Sequence, residues 1–388
     1  MIRVTENSSV QERLAPEDLR FLLPLVRGSP SADRAVFRSI TPTERSDEYI
    51  LSPGSFVGRL GLPSGRWIEI ESRFPFEDVV DLIRLSARTP VRWDTMAVAM
   101  DRSRFIIDVV ASAFVREVER IIGKGIAKSY VERRFQEPPL PGRIDTAYHL
   151  GRWAGRPDKL ATVAKRLTVD IPVNQAITIA ARILRRAPLP LDLSSRLARI
   201  ASCFRKVSHP PMSGEVVAAI RLSRLTSHYR EALSLSEVII RGDSIAPRHA
   251  VHSGTSIAFY MPKVWEDCVT RWVRSEWDPT FVCEPSYSFA LTNGGEVSSL
   301  ADVVVRDSSG IVALYDAKYK WPDATPSSED IYQMVTYCER LRLTKATLCY
   351  PVHIEPRSVH VGNRTVNMVG LRQVRDSLKM IGLRAAAS

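Results

Sequence analysis

The sequence predicts an α+β protein of several domains: a small β-rich N-terminal module, a mainly helical, Arg-rich middle, and a C-terminal α/β domain with a mixed sheet. Three patterns predict this. Apolar and polar residues alternate near residues 66–71, and apolar residues then recur every three or four positions through much of 76–240. Two β-branched runs separated by a turn occupy residues 301–316. A chain of 388 residues is long enough for two or three cores.

Positive charge is concentrated in the middle of the chain. The formal net charge is +11, and residues 101–250 hold 26 Lys/Arg against 14 Asp/Glu, whereas the remainder is nearly neutral. Such an excess is typical of a surface that binds a polyanion, although arginines on solvated helix faces would give the same count. Arg182, Arg185 and Arg186 stand at helical spacings and are the predicted DNA-binding residues of this region.

The cysteines and the apolar runs exclude several classes of protein. Five cysteines are scattered without a C-x-x-C pair, which argues against a zinc ribbon or a disulfide framework and favours a reducing compartment. No signal peptide and no run of eighteen apolar residues is visible, so we expect a soluble, cytoplasmic protein without membrane contact. The segment 123–129 lacks the spacing of a phosphate loop, so we expect no nucleotide binding by this chain.

The first 240 residues predict a module and then helices. Residues 1–50 are polar and turn-rich, with one short helix predicted over Pro16–Val26. Strands at 55–62 and 66–71 flank a Pro-Ser-Gly turn and predict a hairpin, with Ile68 and Ile70 alternating against Glu69 and Glu71. Further helices are predicted at 94–122, 176–186, 193–207 and 214–235.

The C-terminal hairpin brings charged residues together. Residues 301–306 and 311–316 predict two strands joined by a four-residue turn at 307–310. If Arg306 faces Ile311, Asp302 faces Tyr315 and comes close to Asp316. Lys318 lies two residues beyond Asp316 and therefore points to the same face of an extended chain.

Two carboxylates and an ammonium group in one place predict a cation site. Neighbouring carboxylates repel unless one takes up a proton or both bind a cation, and Mg²⁺ is the hard, oxygen-seeking ion that suits them. The predicted ligands are Asp302, Asp316 and the backbone carbonyl of Ala317, with Lys318 stabilising the transition state of phosphodiester hydrolysis or helping to deprotonate water. Lys320 is a predicted DNA contact. The alternative is an exposed hairpin end with an ordinary Asp–Lys pair.

This constellation resembles the PD-(D/E)xK nuclease core. Asp302 matches its first acid, Asp316-Ala317-Lys318 its D-x-K, and Gln333 to Tyr337 the Q-x-x-x-Y motif of the RecB-like branch. The resemblance implies that Gln333 and Tyr337, on one helix face, reach DNA backbone or bound water. It also implies that Glu266, early in a helix predicted over 264–276, is a further metal ligand; complementing the helix dipole is its other interpretation. Ala301 stands where the family usually has proline.

Across the whole chain the sequence resembles the McrC subunit family of McrBC-type, 5-methylcytosine-directed restriction systems. The stretches that carry the resemblance follow the order of the family: Phe56-Val57-Gly58, Ile68-Glu69-Ile70, Gly142-Arg143-Ile144-Asp145, Thr168-Val169-Asp170, Pro172-Val173-Asn174-Gln175, Met261-Pro262-Lys263-Val264-Trp265-Glu266, and the nuclease motifs already named. The nuclease motifs are the most specific of these.

The resemblance implies a division of labour between two proteins. A McrB-like AAA+ GTPase ring would bind GTP or ATP and recognise methylated double-stranded DNA, while this chain would cut DNA and stimulate hydrolysis by the ring. We therefore expect residues 1–160 to dock on the ring, 161–250 to form a basic helical region, and 251–388 to form the endonuclease domain. A stand-alone repair-type nuclease and a non-cutting, DNA-binding activator subunit are the alternatives.

Overall fold

The computed structural model describes residues 1–26, 35–45, 47–87, 105–137, 140–156, 158–242, 256–322 and 327–378. The chain forms two compact units. The first comprises Met1–Ala111, Arg186–Leu189 and Arg241–Ser388, and the second comprises Ser112–Arg185 and Pro190–Ile240. These ranges differ from the three predicted segments because β-strand pairing joins the N-terminal and C-terminal parts of the chain in one unit.

Strands and helices are numbered here in chain order over the described residues. The strands are β1 (Ile2–Thr5), β2 (Val10–Arg13), β3 (Phe37–Pro42), β4 (Glu48–Pro53), β5 (Phe56–Gly61), β6 (Trp67–Glu71), β7 (Ser129–Phe135), β8 (Arg143–Ile144), β9 (Thr162–Thr168), β10 (Ser256–Tyr260), β11 (Val282–Ala290), β12 (Ser298–Asp307), β13 (Gly310–Ala317), β14 (Lys345–Tyr350), β15 (Arg357–Val361) and β16 (Arg364–Gly370). The helices are α1 (Pro16–Leu22), α2 (Phe76–Ser86), α3 (Ile106–Lys124), α4 (Thr146–Trp153), α5 (Pro172–Leu184), α6 (Leu191–Cys203), α7 (Gly214–Ala218), α8 (Arg230–Gly242), α9 (Met261–Glu276), α10 (Ser328–Leu341) and α11 (residues 371–378).

The predicted hairpin at 55–71 is confirmed as β5 and β6, but it belongs to a larger sheet with the order β1-β6-β5-β10. Strand β1 pairs in parallel with β6, and β10 pairs antiparallel with β5. Gly58 makes the second pairing possible, because a Cβ there would lie 2.2 Å from the carbonyl oxygen of Ile257. Glu69, which alternates with Ile68 and Ile70 in the sequence, is itself 1% exposed because its carboxylate pairs with buried Arg59, so the middle of β6 is covered on both faces.

Residues 1–50, predicted to be polar and turn-rich within the β-rich N-terminal module, hold four strands that the sequence did not locate. They contribute β1 to the first sheet and three strands to a second sheet with the order β2-β4-β3. The predicted short helix is present as α1, followed by a 3-10 turn at Leu23–Leu25. Apolar side chains from both sheets form one core, which includes Leu22, Phe37 and Leu51.

The C-terminal part of the first unit contains the predicted mixed sheet, with the order β11-β12-β13-β14-β16-β15. The β13–β14 and β14–β16 pairs are parallel, and the other pairs are antiparallel. Helix α9 packs against β12 and β13, while α10 packs against β14 and β16. The buried indole of Trp265 on α9 donates a 2.9 Å hydrogen bond to the carbonyl of Cys349 on β14, which fixes this helix on the sheet.

The second unit combines helices with a small sheet of order β7-β9-β8. The middle of the chain is therefore less helical than predicted, since β9 lies inside the segment 161–250. The single helix predicted at 214–235 is also wrong: α7, a 3-10 turn at Arg224–Tyr229 and α8 replace it. Part of the helix predicted at 94–122 lies outside the described residues, and α3 is the described part.

Two motif residues support the start of α5 in this unit. The buried amide of Asn174 donates to the carbonyls of Ala127 and Val169, at 3.0 and 2.6 Å. Asp170 accepts hydrogen bonds from Gln175 and Ser208, at 2.9 and 2.7 Å. Over the part of the chain that the structure describes, none of the helices is long and apolar enough to cross a membrane.

Candidate functional site

The candidate site lies where the hairpin of β12 and β13 ends. Arg306 pairs with Ile311 as predicted, but a bulge between Val305 and Arg306 places Val303, rather than Asp302, opposite Tyr315. The turn is also shorter than predicted, because Asp307 pairs with Gly310 and leaves only two residues between the strands. The bulge brings Asp302 to the level of the end of β13, where its Oδ2 accepts the backbone N–H of Ala317 at 2.7 Å.

Two acidic side chains share this place. Burial raises the pKa of Asp302 to about 7, and the charge of Asp316 adds to the rise, while the hydrogen bond from Ala317 opposes it. Burial likewise raises the pKa of Asp316, which is 4% exposed, against the attraction of Lys318. The charge of Asp316 therefore lies close enough to disfavour the charged form of Asp302.

Lys318 supplies the positive charge. Its Nζ lies 2.8 Å from Oδ2 of Asp316 and donates to Oε1 of Gln333 at 2.6 Å. Burial alone would lower the pKa of Lys318, but Asp316 and the more distant Asp330 outweigh that effect and raise it. The side chain is thus an ammonium at neutral pH, which suits it to stabilise negative charge and not to accept a proton.

Helix α10 holds this ammonium through a chain of polar groups. Gln333 and Tyr337 share one face of the helix, as predicted, and Nε2 of Gln333 donates to Oη of Tyr337 at 2.9 Å. Tyr337 shares a further hydrogen bond with Ser299 on β12 and is 4% exposed. Both residues thus contact protein groups here, and their predicted contact with DNA or bound water stays a prediction.

Three further charged residues lie around this centre. Glu266 contributes to the raised pKa of Asp302, but its carboxylate is paired with Nζ of Lys263 at 2.9 Å. Lys320, the predicted DNA contact, pairs with Asp330 at 2.6 Å. Sequence reasoning missed Asp330, which is 5% exposed and lies 3.9 Å from Nζ of Lys318. Its only signal in the sequence is a position three residues before Gln333, on the same helix face.

The donor set suits a hard divalent cation of the kind that the nuclease resemblance implies. The carboxylates of half-buried Asp302 and buried Asp316 are oxygen ligands, and a cation that binds between them would remove the repulsion that raises the pKa of Asp302. Within the described residues, no group of three or more His, Cys, Asp or Glu side chains is arranged as a complete metal site. Mg²⁺ is commonly held by one or two carboxylates and completed by water, so Asp302 and Asp316 fit it.

The predicted DNA-binding arginines are on the surface. Arg182 lies on α5, and Arg185 and Arg186 follow directly after this helix. All three side chains are exposed, whereas the neighbouring Ile183 and Leu184 are buried. This exposure is compatible with a DNA-binding surface and equally with a solvated helix face.

Comparison with known proteins gives the family. Residues 51–351 match the model of the family described as McrBC 5-methylcytosine restriction system component. That range covers more than half of the chain, so the protein belongs to this family, as its sequence motifs predicted. No curated protein sequence matches it significantly.

Two solved structures resemble the fold. One is a chain of the refined half-complex from the tetradecameric assembly of Thermococcus gammatolerans McrB AAA+ hexamers with bound McrC, with a TM-score of 0.57 and 14% identity over 98% of this chain and 100% of that chain. The other is a chain of the Thermococcus gammatolerans McrBC complex, with a TM-score of 0.44 and 14% identity over 71% of this chain and 88% of that chain. The first similarity is one of fold and confirms the mixture of helices and several sheets.

Proposed function

We propose that this protein is the DNA-cutting subunit of a cytoplasmic restriction complex that is directed to modified DNA and driven by nucleoside triphosphates. The observation that carries the proposal is the cluster of buried Asp316 with half-buried Asp302 and Lys318 at a hairpin end, in a chain of the McrBC family. We further propose that the sheet of β11–β16 with α9 and α10 is a PD-(D/E)xK nuclease domain. The order of its acids, its lysine and its Gln/Tyr helix supports that assignment.

The chemistry follows from the charges of the site. Asp302 and Asp316, with the carbonyl of Ala317, would hold Mg²⁺, and Glu266 would join them if it left Lys263. When bound, the ion supplies positive charge that lowers the pKa of an attacking water and stabilises the leaving oxygen. Lys318, held by Gln333, would stabilise the negative charge that develops on the phosphorane. Gln333 and Tyr337 fix the orientation of that ammonium.

The partner that we propose is a McrB-like AAA+ ring. The ring, and not this chain, binds GTP or ATP. The surface on the second unit that best fits a protein partner is the exposed sheet of β7, β9 and β8. Tyr130 and Leu167 lie directly opposite one another on this sheet and are 68% and 54% exposed, and Ile144 on β8 is 54% exposed. Exposed apolar side chains that are neighbours on a sheet are typical of an interface.

Cleavage assays with the partner test this function. Plasmid DNA, methylated or unmethylated, is incubated with Mg²⁺, nucleotide and either wild type or Asp316→Ala, with and without the NTPase encoded beside this protein. We expect cutting only when methylated DNA, NTPase, nucleotide and Asp316 are all present. Cutting by wild type without the NTPase would instead show a stand-alone nuclease. Stimulated nucleotide hydrolysis without any cutting would show an activator subunit.

A second assay tests the partner surface. Replacing Tyr130 and Leu167 together by serine should abolish the stimulation of nucleotide hydrolysis, because the interface loses its apolar centre. Leu191→Ser is the matched control, since Leu191 is 84% exposed in the same unit but lies on helix α6. Equal stimulation by both variants would exclude this sheet as the docking surface. That result would not contradict the proposed cutting site.

A further inference from the structure

Tyr319, the residue after Lys318, forms hydrogen bonds through its hydroxyl and its backbone carbonyl to the N-terminal segment of the first unit. Tyr319 is 9% exposed, and its hydroxyl donates a 2.8 Å hydrogen bond to Oε1 of Glu6, just after β1. Its backbone carbonyl accepts a hydrogen bond from the guanidinium of Arg73, just after β6. These two contacts join the first sheet of the unit to the loop that leaves β13.

Aromatic contacts keep the same loop in one position. The ring of Phe74 meets Tyr319 edge to face, with 4.9 Å between ring centres, and lies 5.2 Å from the ring of Trp321. The guanidinium of Arg73 lies 5.3 Å from the centre of the Tyr319 ring. Tyr319 therefore has polar contacts at its hydroxyl and carbonyl and ring contacts between them.

Glu6 is an unusual residue for this packed position. It is 2% exposed, and it also accepts hydrogen bonds from the hydroxyl of Ser72 and the backbone N–H of Arg73, at 3.0 and 3.2 Å. Burial raises the pKa of Glu6 despite these bonds, so the carboxyl group costs free energy to bury. An apolar side chain would avoid that cost, and it would also lose the bond to Tyr319.

The backbone position of Tyr319 determines the positions from which the side chains of both lysines of the candidate site extend. Tyr319 is the single residue between Lys318, which contacts Asp316 and Gln333, and Lys320, which contacts Asp330. The backbone N–H of Lys320 donates to the carbonyl of Lys318 at 3.0 Å, so the three residues form one tight turn. We propose that Glu6, Arg73 and Tyr319 form a positioning clamp that holds the ammonium of Lys318 in its orientation for cleavage.

This inference rests on the proposed nuclease function and adds a positioning role for residues that touch neither DNA nor metal. Ordinary packing between two parts of one unit is the competing explanation. The two explanations differ in what they predict for DNA cleavage. A clamp affects the rate of the chemical step, whereas packing alone affects the fraction of protein that is folded.

The test uses the full chain with its NTPase partner and measures single-turnover cleavage and DNA affinity separately. Glu6→Ala and Tyr319→Phe should each lower the cleavage rate about 10- to 100-fold, because small misplacements of a catalytic group have effects of this size. The DNA dissociation constant should stay within about twofold of wild type, about 0.4 kcal/mol. Glu6→Gln keeps an acceptor for Tyr319 and should restore most of the rate.

A matched control separates positioning from stability. Asp18 is also a fully buried acid of the N-terminal segment, and it accepts hydrogen bonds from the N–H and hydroxyl of Ser64, at 2.9 and 2.7 Å. Asp18→Ala should cut DNA at the wild-type rate per folded molecule. The clamp is wrong if Asp18→Ala slows cleavage as much as Glu6→Ala does, or if Glu6→Ala cuts at the wild-type rate.

Amide hydrogen exchange gives a readout that needs no cleavage. In Glu6→Ala, residues 317–322 should exchange faster than in wild type, while residues 303–314 of the hairpin should be unchanged. Unchanged exchange at 317–322 would overturn the clamp by itself. Wild type that fails to cut DNA with its partner would refute the proposed function and the role in cleavage, whereas a local rise in exchange would still show that Glu6 holds this loop.

Discussion

Two charge clusters in the first unit are each built around two carboxylates and one cation, but they differ in how far they are closed to solvent. In one, Arg59 reaches Glu69 at 2.5 Å and Asp108 at 3.0 Å, and it also donates to the carbonyl of Pro188. In the other, Lys318 lies 2.8 Å from Asp316 and 3.9 Å from Asp330 and donates to Gln333, while Asp302 accepts a backbone N–H. A planar guanidinium can serve several acceptors at once, whereas an ammonium is a compact point charge.

The difference separates a structural cluster from one that is suited to chemistry. Arg59, Glu69 and Asp108 are 3%, 1% and 4% exposed, so the cluster is closed to solvent. The side chain of Lys318 is 19% exposed, and its Nζ lies 2.8 Å from Oδ2 of Asp316. The first cluster is therefore closed around its guanidinium, while the second is partly open to solvent at its ammonium.

The largest effect is expected from breaking the closed cluster. Arg59→Ala should lower the free energy of unfolding by about 3–5 kcal/mol, because two buried acids lose their partner. Urea unfolding measures it. Arg66→Ala is the control, because Arg66 pairs with Glu12 at 3.0 Å near the surface and should lose only about 0–1 kcal/mol. Similar losses in both variants would contradict the structural role of the Arg59 cluster.

Removing the cation of the second cluster should affect activity instead. Lys318→Ala should lower the DNA cleavage rate by about 10²–10³-fold, the usual effect of losing one donor to a developing negative charge. Stimulation of the partner's nucleotide hydrolysis should stay as in wild type. Lys345→Ala, an exposed lysine on β14, should change neither activity. If Lys318→Ala lost cleavage and stimulation together, the cutting and docking functions would not be separate.

The acids of the second cluster should make Mg²⁺ binding depend on pH. The pKa of Asp302 is raised to about 7, so a proton competes with the ion at lower pH. Without metal, protonation of Asp302 stabilises the folded protein. This contribution to the free energy of unfolding is lost as pH rises through about 7. Mg²⁺ affinity, measured by calorimetry, should rise about tenfold per pH unit below pH 7 and level off above it. Asp302→Asn should flatten this slope, and an affinity that is constant from about pH 5.5 to 8 would contradict the assignment.

The smallest effect is expected from charges outside both clusters. Replacing Arg182, Arg185 and Arg186 by glutamine should weaken DNA binding and reduce the slope of log K against log salt, by about 0.9 for each phosphate that the variant no longer neutralises. Filter binding between about 50 and 200 mM salt measures this slope. An unchanged slope would assign the three arginines to a solvated helix face.

The sequence predicted the C-terminal sheet better than the N-terminal one for a physical reason. Runs such as Val303-Val304-Val305 form central strands that are buried on both faces, and such runs are visible without knowledge of their partners. Strands β1 and β2 have four residues each, and β1 finds its partner β6 more than 60 positions away. Short strands with distant partners leave no local signal in the sequence.

The candidate site was predicted in its residues but not in all of its geometry. The spacing of Asp302, Asp316 and Lys318 follows from the hairpin, yet the bulge that changes the register has no signature at Val305 or Arg306. The burial of Glu6 and Asp330 was missed because an acid near a strand or helix end is ordinarily exposed. Their burial depends on packing between elements that are far apart in sequence. His249 and His252 stand three residues apart in a polar stretch and, without a third ligand nearby in the sequence, are predicted to be loop histidines and not metal ligands; both lie outside the described residues.

The pairing of β10 with β5 has a consequence for the order of events during synthesis. The ribosome makes β5 about 200 residues before β10, and it makes Tyr319 long after Glu6. The sheet that carries Asp316 cannot be completed until β16 and β15 have emerged, so a prematurely terminated chain lacks part of the sheet that supports the candidate site. We therefore expect a fragment that ends before β15 to show no DNA cleavage, although it contains Asp302, Asp316 and Lys318.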